Sequence, residues 1–292
     1  MNLHLGCPIW AYKGWVGGFY PEGTKSSAYL QEYARRLTTV EGNTTFYAVP
    51  APKTILQWVD ETPETFRFCP KLPRTISHAG KLADHILEAA DFIAAMSQLG
   101  VRLGPMFLQL PPRYSPHLLE DLGTFLEAWP RRVQLAVEVR HLDWFNSPFN
   151  EALNELLAKS DMARVVIDTR PIRNLKGDKI LAGSVYQRLL EARERKPDLP
   201  ILPERTASFI FLRYIGHPQL DSNLSLLSKW SDHIATWLRD GTQAYVFCHC
   251  PDERLDPWLC RQFHRMVSER FPLPPLPWEE VDEGTATQAR LF

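Results

Sequence analysis

The chain has 292 residues, of which 45% are hydrophobic and 23% are charged, and its formal net charge at pH 7 is −1. This composition argues against a disordered chain and gives no overall basic charge, so binding along extended duplex nucleic acid is not expected. No apolar run approaches the ~20 residues of a membrane-spanning helix, and the amino terminus lacks a basic segment followed by an apolar core. Together with five cysteines and no CxxC pair, this predicts a cytoplasmic protein that does not enter a membrane.

Eight short apolar segments predict eight β-strands. They span residues 3–9, 39–47, 66–72, 105–110, 134–140, 163–168, 208–215 and 243–248. Helical periodicity separates most neighbouring segments, over residues 29–37, 81–99, 116–129, 150–158, 223–238 and 257–267. Strands that alternate with helices in this way predict parallel β-α-β units and an α/β fold of the (β/α)8 TIM-barrel type.

The connection between the sixth and seventh predicted strands is long and charged. Its best helical candidate is 183–195, and we expect a short helix there, flanked by irregular loops. After Phe271 the composition changes to a proline-rich and then an acidic segment. The sequence therefore predicts one barrel domain over residues 1–270 and an extended carboxyl-terminal tail over 271–292.

Six ordered motifs resemble a known family. They are GCPIWAYKGWVGGFYP (6–21), VEGNTTFYAVP (40–50), FRFCPKLPRTISH (66–78), GPMFLQLPP (104–112), VEVRHLDWF (137–145) and FCHCPDE (247–253). On these motifs the chain is identified as a member of the YecE-like family, domain of unknown function 72. The resemblance implies a TIM-type barrel and brings no established activity with it.

Polar residues stand at or just after the ends of most predicted strands. In a barrel of parallel strands these ends converge on one face, where active sites lie. Glu41, Glu138 and Asp168 are the candidate catalytic residues, because carboxylates can transfer protons. The other candidates at these ends are predicted to bind ligand: Asn43, Lys71, Gln109, Arg140, His141, Arg213 and His249.

Three cations among these candidates indicate an anion site. Lys71, Arg140 and Arg213 could hold a phosphate or a carboxylate while a glutamate moves a proton. The alternative is a buried network of ion pairs that only stabilises the barrel. We favour the site, because the charges come from at least four strands at one rim.

Aromatic residues follow several of the same strands. Trp10, Tyr12, Trp15, Tyr47 and Trp144 are candidates for stacking on a sugar or a base of the ligand. The alternative is that these rings form small hydrophobic cores for their own long loops.

The sequence leaves cofactors and metals open. Glu41, Glu138, Asp168, His141 and His249 could supply metal ligands, although neighbouring lysine and arginine side chains would oppose a cation. Cys248-His249-Cys250 would need two further ligands for zinc, and buried core thiols are the favoured interpretation. No glycine-rich loop matches a dinucleotide or P-loop pattern.

Two functions therefore remain open at this point, and the sequence does not decide whether the protein is an enzyme. The first is an enzyme that acts on a phosphorylated or nucleotide-like anionic ligand, with phosphodiester hydrolysis in nucleic-acid repair as its more specific form. The second is a non-catalytic barrel that binds a ligand or a partner. In either case, the last residues from Gln288 to Phe292 resemble peptides that dock on the bacterial sliding clamp, which would then be a partner.

Overall fold

The structure, a computed structural model, describes residues 2–175, 178 and 181–281. Eight strands form one parallel sheet: β1 (Leu3–Cys7), β2 (Thr39–Gly42), β3 (Arg67–Pro70), β4 (Met106–Gln109), β5 (Leu135–Glu138), β6 (Ala163–Asp168), β7 (Phe209–Ile215) and β8 (Gln243–His249). Their order is β3-β2-β1-β8-β7-β6-β5-β4. The sheet ends meet through isolated bridges, including Lys71 with Phe107, which nearly close it. The predicted (β/α)8 barrel is confirmed.

Helices surround the sheet and follow the strands in alternation. They are α1 (Tyr29–Ala34), α2 (Pro52–Asp60), α3 (Arg74–Ser77), α4 (Ile86–Met96), α5 (Leu119–Ala128), α6 (Phe149–Ala158), α7 (Gly183–Arg195), α8 (Leu224–Arg239) and α9 (Asp256–Ser268). The sequence analysis missed the four-residue α3 and also α2, which begins at a proline and has Ile55 as its buried residue. It placed α7 at the observed residues.

Side chains alternate between two hydrophobic layers along each strand. On β7, Phe209 and Phe211 point into the barrel, whereas Ile210 and Leu212 pack in the large outer core beneath the helices. The inward set continues to Arg213, two residues after Phe211. This alternation decides which of the polar residues at the strand ends reach the interior of the rim.

The first part of the predicted tail packs on the barrel. Trp278 is only 2% exposed; its ring lies 4.9 Å from that of Phe19, and the guanidinium of Arg261 lies 4.6 Å from the Trp278 ring. Leu276 is also fully buried in the outer core. Residues 271–281 therefore share the hydrophobic core of the barrel, and the predicted clamp-binding peptide at 288–292 lies outside the described residues.

Among the residues that the structure describes, no helix is both long enough and apolar enough to cross a membrane.

Candidate functional site

Polar side chains from six strands meet at the carboxyl-terminal rim of the barrel. Each stands on the inward-facing side of its strand or just after the strand ends. We call this hydrogen-bonded group the rim network: it consists of Glu41, Asn43, Lys71, Gln109, Glu138, Arg140, Arg213 and His249. The structure thus brings together eight of the residues that the sequence predicted.

Arg213 lies at the centre of the rim network. Its Nε and Nη2 donate to the two carboxylate oxygens of Glu41, each at 2.8 Å, and its Nη1 donates to Oε2 of Glu138 at 2.7 Å. All three side chains are buried, and the guanidinium lies 4.9 Å from the centre of the Phe107 ring. Arg213 therefore joins β2, β5 and β7 through one bidentate and one single ion pair.

The two glutamates accept further hydrogen bonds that hold them ionised. Asn43 Nδ2 donates to Glu41 at 2.8 Å, His249 Nε2 lies 3.2 Å from Glu41, and Arg140 Nε donates to Glu138 at 2.6 Å. Burial by itself raises the pKa of each carboxyl group, but the cations outweigh it. The pKa of Glu41 lies well below its usual range, and that of Glu138 falls to about 2. Both glutamates are therefore weak proton acceptors at neutral pH.

Lys71 has a different environment, because its partner is neutral. Its Nζ donates to Oε1 of Gln109 at 2.9 Å, and the same oxygen accepts from Arg140 Nη2 at 2.9 Å. The ammonium also lies 4.1 Å from the centre of the Phe46 ring. Burial, with Arg213 adding to it, lowers the pKa of Lys71 to about 7. Lys71 consequently changes its charge close to neutral pH.

A cavity of about 680 Å³ opens above the rim network, and we call it the anion cavity. Strand-end residues form its floor, while α3 and α7 contribute further cations. Besides Lys71, Arg140 and Arg213, these are Arg74, Arg188, Arg195 and Lys196. The sequence analysis gave none of the last four a role. Arg74 belongs to the same sequence motif as Lys71, and this could have identified it as a candidate. The cations in and after α7 have a sequence pattern that is typical of a charged, exposed helix.

Three cations of the anion cavity have no acidic partner. Within the described ranges, Lys71, Arg74 and Lys196 form no ion pair with a carboxylate, although acidic residues also line the cavity. Burial lowers the pKa of Lys196 to about 8, with Arg213 contributing. One acidic neighbour, Asp256, is fully buried, and burial raises the pKa of its carboxyl group well above the usual range. The cavity therefore retains positive charge.

The third candidate catalytic residue does not reach the anion cavity. Asp168 ends β6 on its outward side, where Trp230 Nε1 donates to its Oδ2 at 2.7 Å. Arg170 adds three hydrogen bonds to the same carboxylate, from its backbone N–H at 3.0 Å and from its guanidinium at 2.9 and 2.7 Å. The contacts of Asp168 therefore fasten α8 to the barrel. His141 is likewise outside the lining of the cavity, and its Nδ1 accepts from the backbone N–H of Asp143 at 3.2 Å.

Four of the five predicted aromatic candidates pack in or against the large outer hydrophobic core. Trp15 and Trp144 are buried and donate from Nε1 to backbone carbonyl groups at 2.8 Å. Trp10 contacts Trp58 at 5.3 Å between ring centres, and Tyr12 contacts Trp15 at 5.5 Å. Tyr47 differs, because it is 82% exposed. It lies at the edge of the anion cavity.

Potential metal ligands do not come together as a group in the part of the chain that is described. No set of three or more histidine, cysteine, aspartate or glutamate side chains there is arranged to hold a metal ion. Glu41 and Glu138, two of the predicted candidates, already bind Arg213. Cys248 and Cys250 are free thiols buried in the outer core.

The comparisons with known proteins agree with the fold. The chain is 34% identical over 271 residues to the UPF0759 protein YecE of Escherichia coli K12, covering 92% of this chain and 94% of that protein. Solved DUF72 family proteins share the fold at a TM-score of 0.67. The one from Thermotoga maritima is 20% identical and covers 92% of this chain and all of its own; the one from Enterococcus faecalis V583 is 15% identical and covers 94% and 96%.

The family model itself spans nearly the whole described structure. It is the model of the family described as "Protein of unknown function DUF72", and it matches residues 4–281. The match includes every member of the rim network and the segment around Trp278 that packs on the barrel. The chain therefore belongs to the DUF72 family.

Proposed function

We propose that the protein binds a phosphorylated or nucleotide-like anionic ligand in the anion cavity. The observation that carries this proposal is that no carboxylate among the described residues forms an ion pair with Lys71, Arg74 or Lys196. Burying a cation without a partner costs free energy, and this applies to Lys71, which is buried, and in part to Lys196, which is half-buried. A bound anion would compensate these charges, and Arg74, which is exposed, adds a further cation at the edge of the cavity. A phosphoryl group supplies several charged oxygens and suits a mixture of point-like ammonium groups and planar guanidinium groups.

The rim network supports the proposal by fixing one arginine before any ligand arrives. Arg140 is held by Glu138 through Nε and by Gln109 through Nη2. No described residue accepts a hydrogen bond from its Nη1, which leaves this nitrogen for a ligand. A side chain that is ordered in advance loses little conformational entropy on binding, which strengthens the affinity.

The enzymatic form of the proposal is hydrolysis of a phosphodiester, as in nucleic-acid repair. Glu41 and Glu138 serve this form by holding the arginines, since their lowered pKa values disfavour proton transfer. His249 is a better candidate than the glutamates for accepting a proton. Burial lowers its pKa to about 4, so the ring is neutral at pH 7. In the tautomer that donates from Nε2 to Glu41, the Nδ1 atom can accept a proton. The alternative is a non-catalytic barrel that uses the same cavity for recognition.

Ligand binding by the full-length protein tests the proposal. Thermal unfolding is recorded with phosphate, ribose 5-phosphate, adenosine 5′-monophosphate and a short abasic oligonucleotide, and affinities are measured by calorimetry. We expect at least one ligand to raise the melting temperature, because it binds only the folded state. Lys71→Gln should weaken that ligand about tenfold or more, through loss of a buried charge-assisted contact. Affinity should also fall as the pH rises through 7, where Lys71 loses its proton.

The matched control is Lys159→Gln, because Lys159 is an exposed lysine whose ion pair lies far from the rim. Equal affinities in the two variants would contradict the proposal, as would the absence of any shift with all four ligands.

Turnover separates the enzyme from the recognition barrel. Each ligand that binds is incubated with the protein and followed by phosphorus NMR. If His249 takes part in proton transfer, His249→Gln should abolish turnover while the protein stays folded and still binds the ligand. Full turnover in His249→Gln would remove the role assigned to His249, and no turnover in the wild type would favour recognition.

Docking of the chain on a sliding clamp is a separate proposal, and it rests on the last five residues of the sequence. The described chain is anchored as far as Trp278, through its contacts with Phe19 and Arg261. A peptide of residues 282–292 should bind a purified bacterial clamp, and replacing Leu291 and Phe292 by alanine should abolish binding. A wild-type peptide that does not bind would end this idea.

The cysteines support the proposed cytoplasmic location. All five are free thiols in the described structure, and all are buried. The sulfur atoms of Cys7 and Cys260 lie 3.8 Å apart, at hydrogen-bond distance, without forming a disulfide. Free thiols are typical of a reducing compartment.

A further inference from the structure

A second concave surface adjoins the anion cavity. This groove has a volume of about 530 Å³, and its own residues include Val49, Pro73 and Ala79. It also shares residues with the anion cavity, namely Phe46, Tyr47, Arg74 and His78. Because the two spaces have these walls in common, one ligand can occupy both. We call this second surface the aromatic groove.

The aromatic groove leaves apolar surface open to water. Tyr47 is 82% exposed and Val49 is 48% exposed. The Tyr47 ring contacts the Phe46 ring in a T-shaped arrangement, with 5.2 Å between centres and an angle of 88°. Its high exposure leaves a face of the Tyr47 ring available to a ligand. Exposed apolar surface beside a cavity is typical of a ligand site.

Phe46 connects the aromatic groove with the charged floor. Its ring contacts Tyr47 on one side, and the ammonium of Lys71 lies 4.1 Å from its centre. The Phe46 ring therefore lies between the ammonium of Lys71 and the exposed ring of Tyr47. A ribose could cover the separation between a phosphate at Lys71 and a base at Tyr47.

We infer that the aromatic groove binds the base of a nucleotide whose phosphate occupies the anion cavity. This inference rests on the proposed function, and it selects the nucleotide among the phosphorylated ligands. A base stacks on an aromatic face and also presents polar atoms at its edge. Arg74 and His78 supply polar groups along the aromatic groove, and these can form hydrogen bonds with the edge of a base but not with an alkyl chain.

The protonation state of His78 agrees with a base as occupant. Burial, with Lys71 and Arg140 adding to it, lowers the pKa of His78 to about 4. The ring is therefore neutral at pH 7, and its Nδ1 lies 2.8 Å from the hydroxyl oxygen of Ser77. A neutral imidazole can form hydrogen bonds with the edge of an uncharged base, and it needs no negatively charged partner.

The test compares two phosphates that differ by the base. Calorimetry at pH 6.5, where Lys71 is largely protonated, gives the affinities of the full-length protein for adenosine 5′-monophosphate and for ribose 5-phosphate. We expect the nucleotide to bind about tenfold more tightly, the gain typical of one stacked base. Tyr47→Ala should reduce this ratio towards one, and Tyr47→Phe should restore it. Tyr186→Ala is the control, since Tyr186 is exposed and lines neither surface.

Two further arms separate the possible failures. Lys71→Gln should weaken both phosphates and keep their ratio. Hexyl phosphate should bind no more tightly than ribose 5-phosphate, and Tyr47→Ala should not change its affinity. A ratio near one in the wild type, or one that Tyr47→Ala leaves intact, would overturn the inference while the proposed anion site stands. A gain for hexyl phosphate that disappears in Tyr47→Ala would also overturn it, in favour of an alkyl occupant. If no phosphate binds, the proposed function fails together with the inference.

Discussion

Two sets of cations lie at the same rim, and they differ in how their charge is compensated. Arg213 and Arg140 are paired with Glu41 and Glu138 in the rim network. Lys71, at the same rim, is partnered by the neutral Gln109 and by the rings of Phe46 and Phe107, and among the described residues it has no acidic partner. A paired buried charge depends on its partner for stability, whereas an unpaired one weakens the fold. The comparison separates the part of the rim that supports the barrel from the part that is free for a ligand.

The largest expected effect is on the paired side. Arg213→Met removes the partner of two buried carboxylates and should lower the free energy of unfolding by about 3–5 kcal/mol. Urea unfolding monitored by tryptophan fluorescence measures the change. Arg74→Met is the matched control, because Arg74 lines the same cavity without an ion pair to any described carboxylate. It should change the free energy of unfolding by less than about 1 kcal/mol. Similar losses in the two variants would abolish the distinction.

Acid should weaken the paired side through Glu138. Its pKa is about 2 in the folded protein against the ordinary 4.5, so the unfolded chain binds the proton more tightly. The stabilisation by Glu138 is then complete above pH 4.5 and is lost as the pH falls towards 2, by about 2–3 kcal/mol. Unfolding free energies measured from pH 5 to pH 2 should fall less steeply in Glu138→Gln. The exposed Glu127→Gln should follow the wild type; parallel curves for all three proteins would contradict the assignment.

Removing an unpaired cation should have the opposite sign and a smaller size. The pKa of Lys71 is about 7 in the folded protein and 10.5 ordinarily, so keeping this lysine charged opposes folding below pH 7. Lys71→Met should therefore raise the free energy of unfolding at pH 6 by about 1–3 kcal/mol and should weaken anion binding about tenfold or more. The wild type gains stability between pH 7 and pH 10, so the advantage of the variant should shrink there. A destabilised Lys71→Met at pH 6 would show that Lys71 belongs to the supporting side.

The periodicity of the sequence predicted the bounds of several strands and helices correctly. It did so for a strand when the apolar run and the strand end at the same residue. The sixth predicted strand has the bounds of β6, and α7 was placed at its observed residues. The second predicted strand extended to residue 47, whereas β2 ends at Gly42, because residues 43–46 form a 3-10 helix although their threonines and phenylalanine are residue types typical of strands. Composition continues past the point at which ladder hydrogen bonds stop, so it fixes the existence of a strand better than its end.

The position of a candidate residue along its strand decides whether its side chain points into the barrel or outwards. The type of residue does not show this. Glu138 and Asp168 both end strands, yet Glu138 faces Arg213 inside the barrel and Asp168 faces Trp230 of α8 outside it. On β6 the residues in the inner core are Ala163 and Val165, and Asp168 falls on the opposite face. Because side chains alternate between the two faces of a sheet, a shift of one position moves a residue to the other face. Counting back along β6 would have given this answer from sequence.

The sequence by itself determined the alternation of strands and helices, the common rim and the shared side of Glu138 and Arg140, because these follow from local periodicity. The tertiary structure decided which charges are compensated. Arg213 and Glu41 are 172 residues apart in sequence, and their ion pair exists only because the barrel brings β2 and β7 to one floor. The position of α7, which places Lys196 in the anion cavity, likewise depends on packing between distant segments. Pairing of charges depends on distances between side chains of different strands, and those distances are fixed only when the sheet closes.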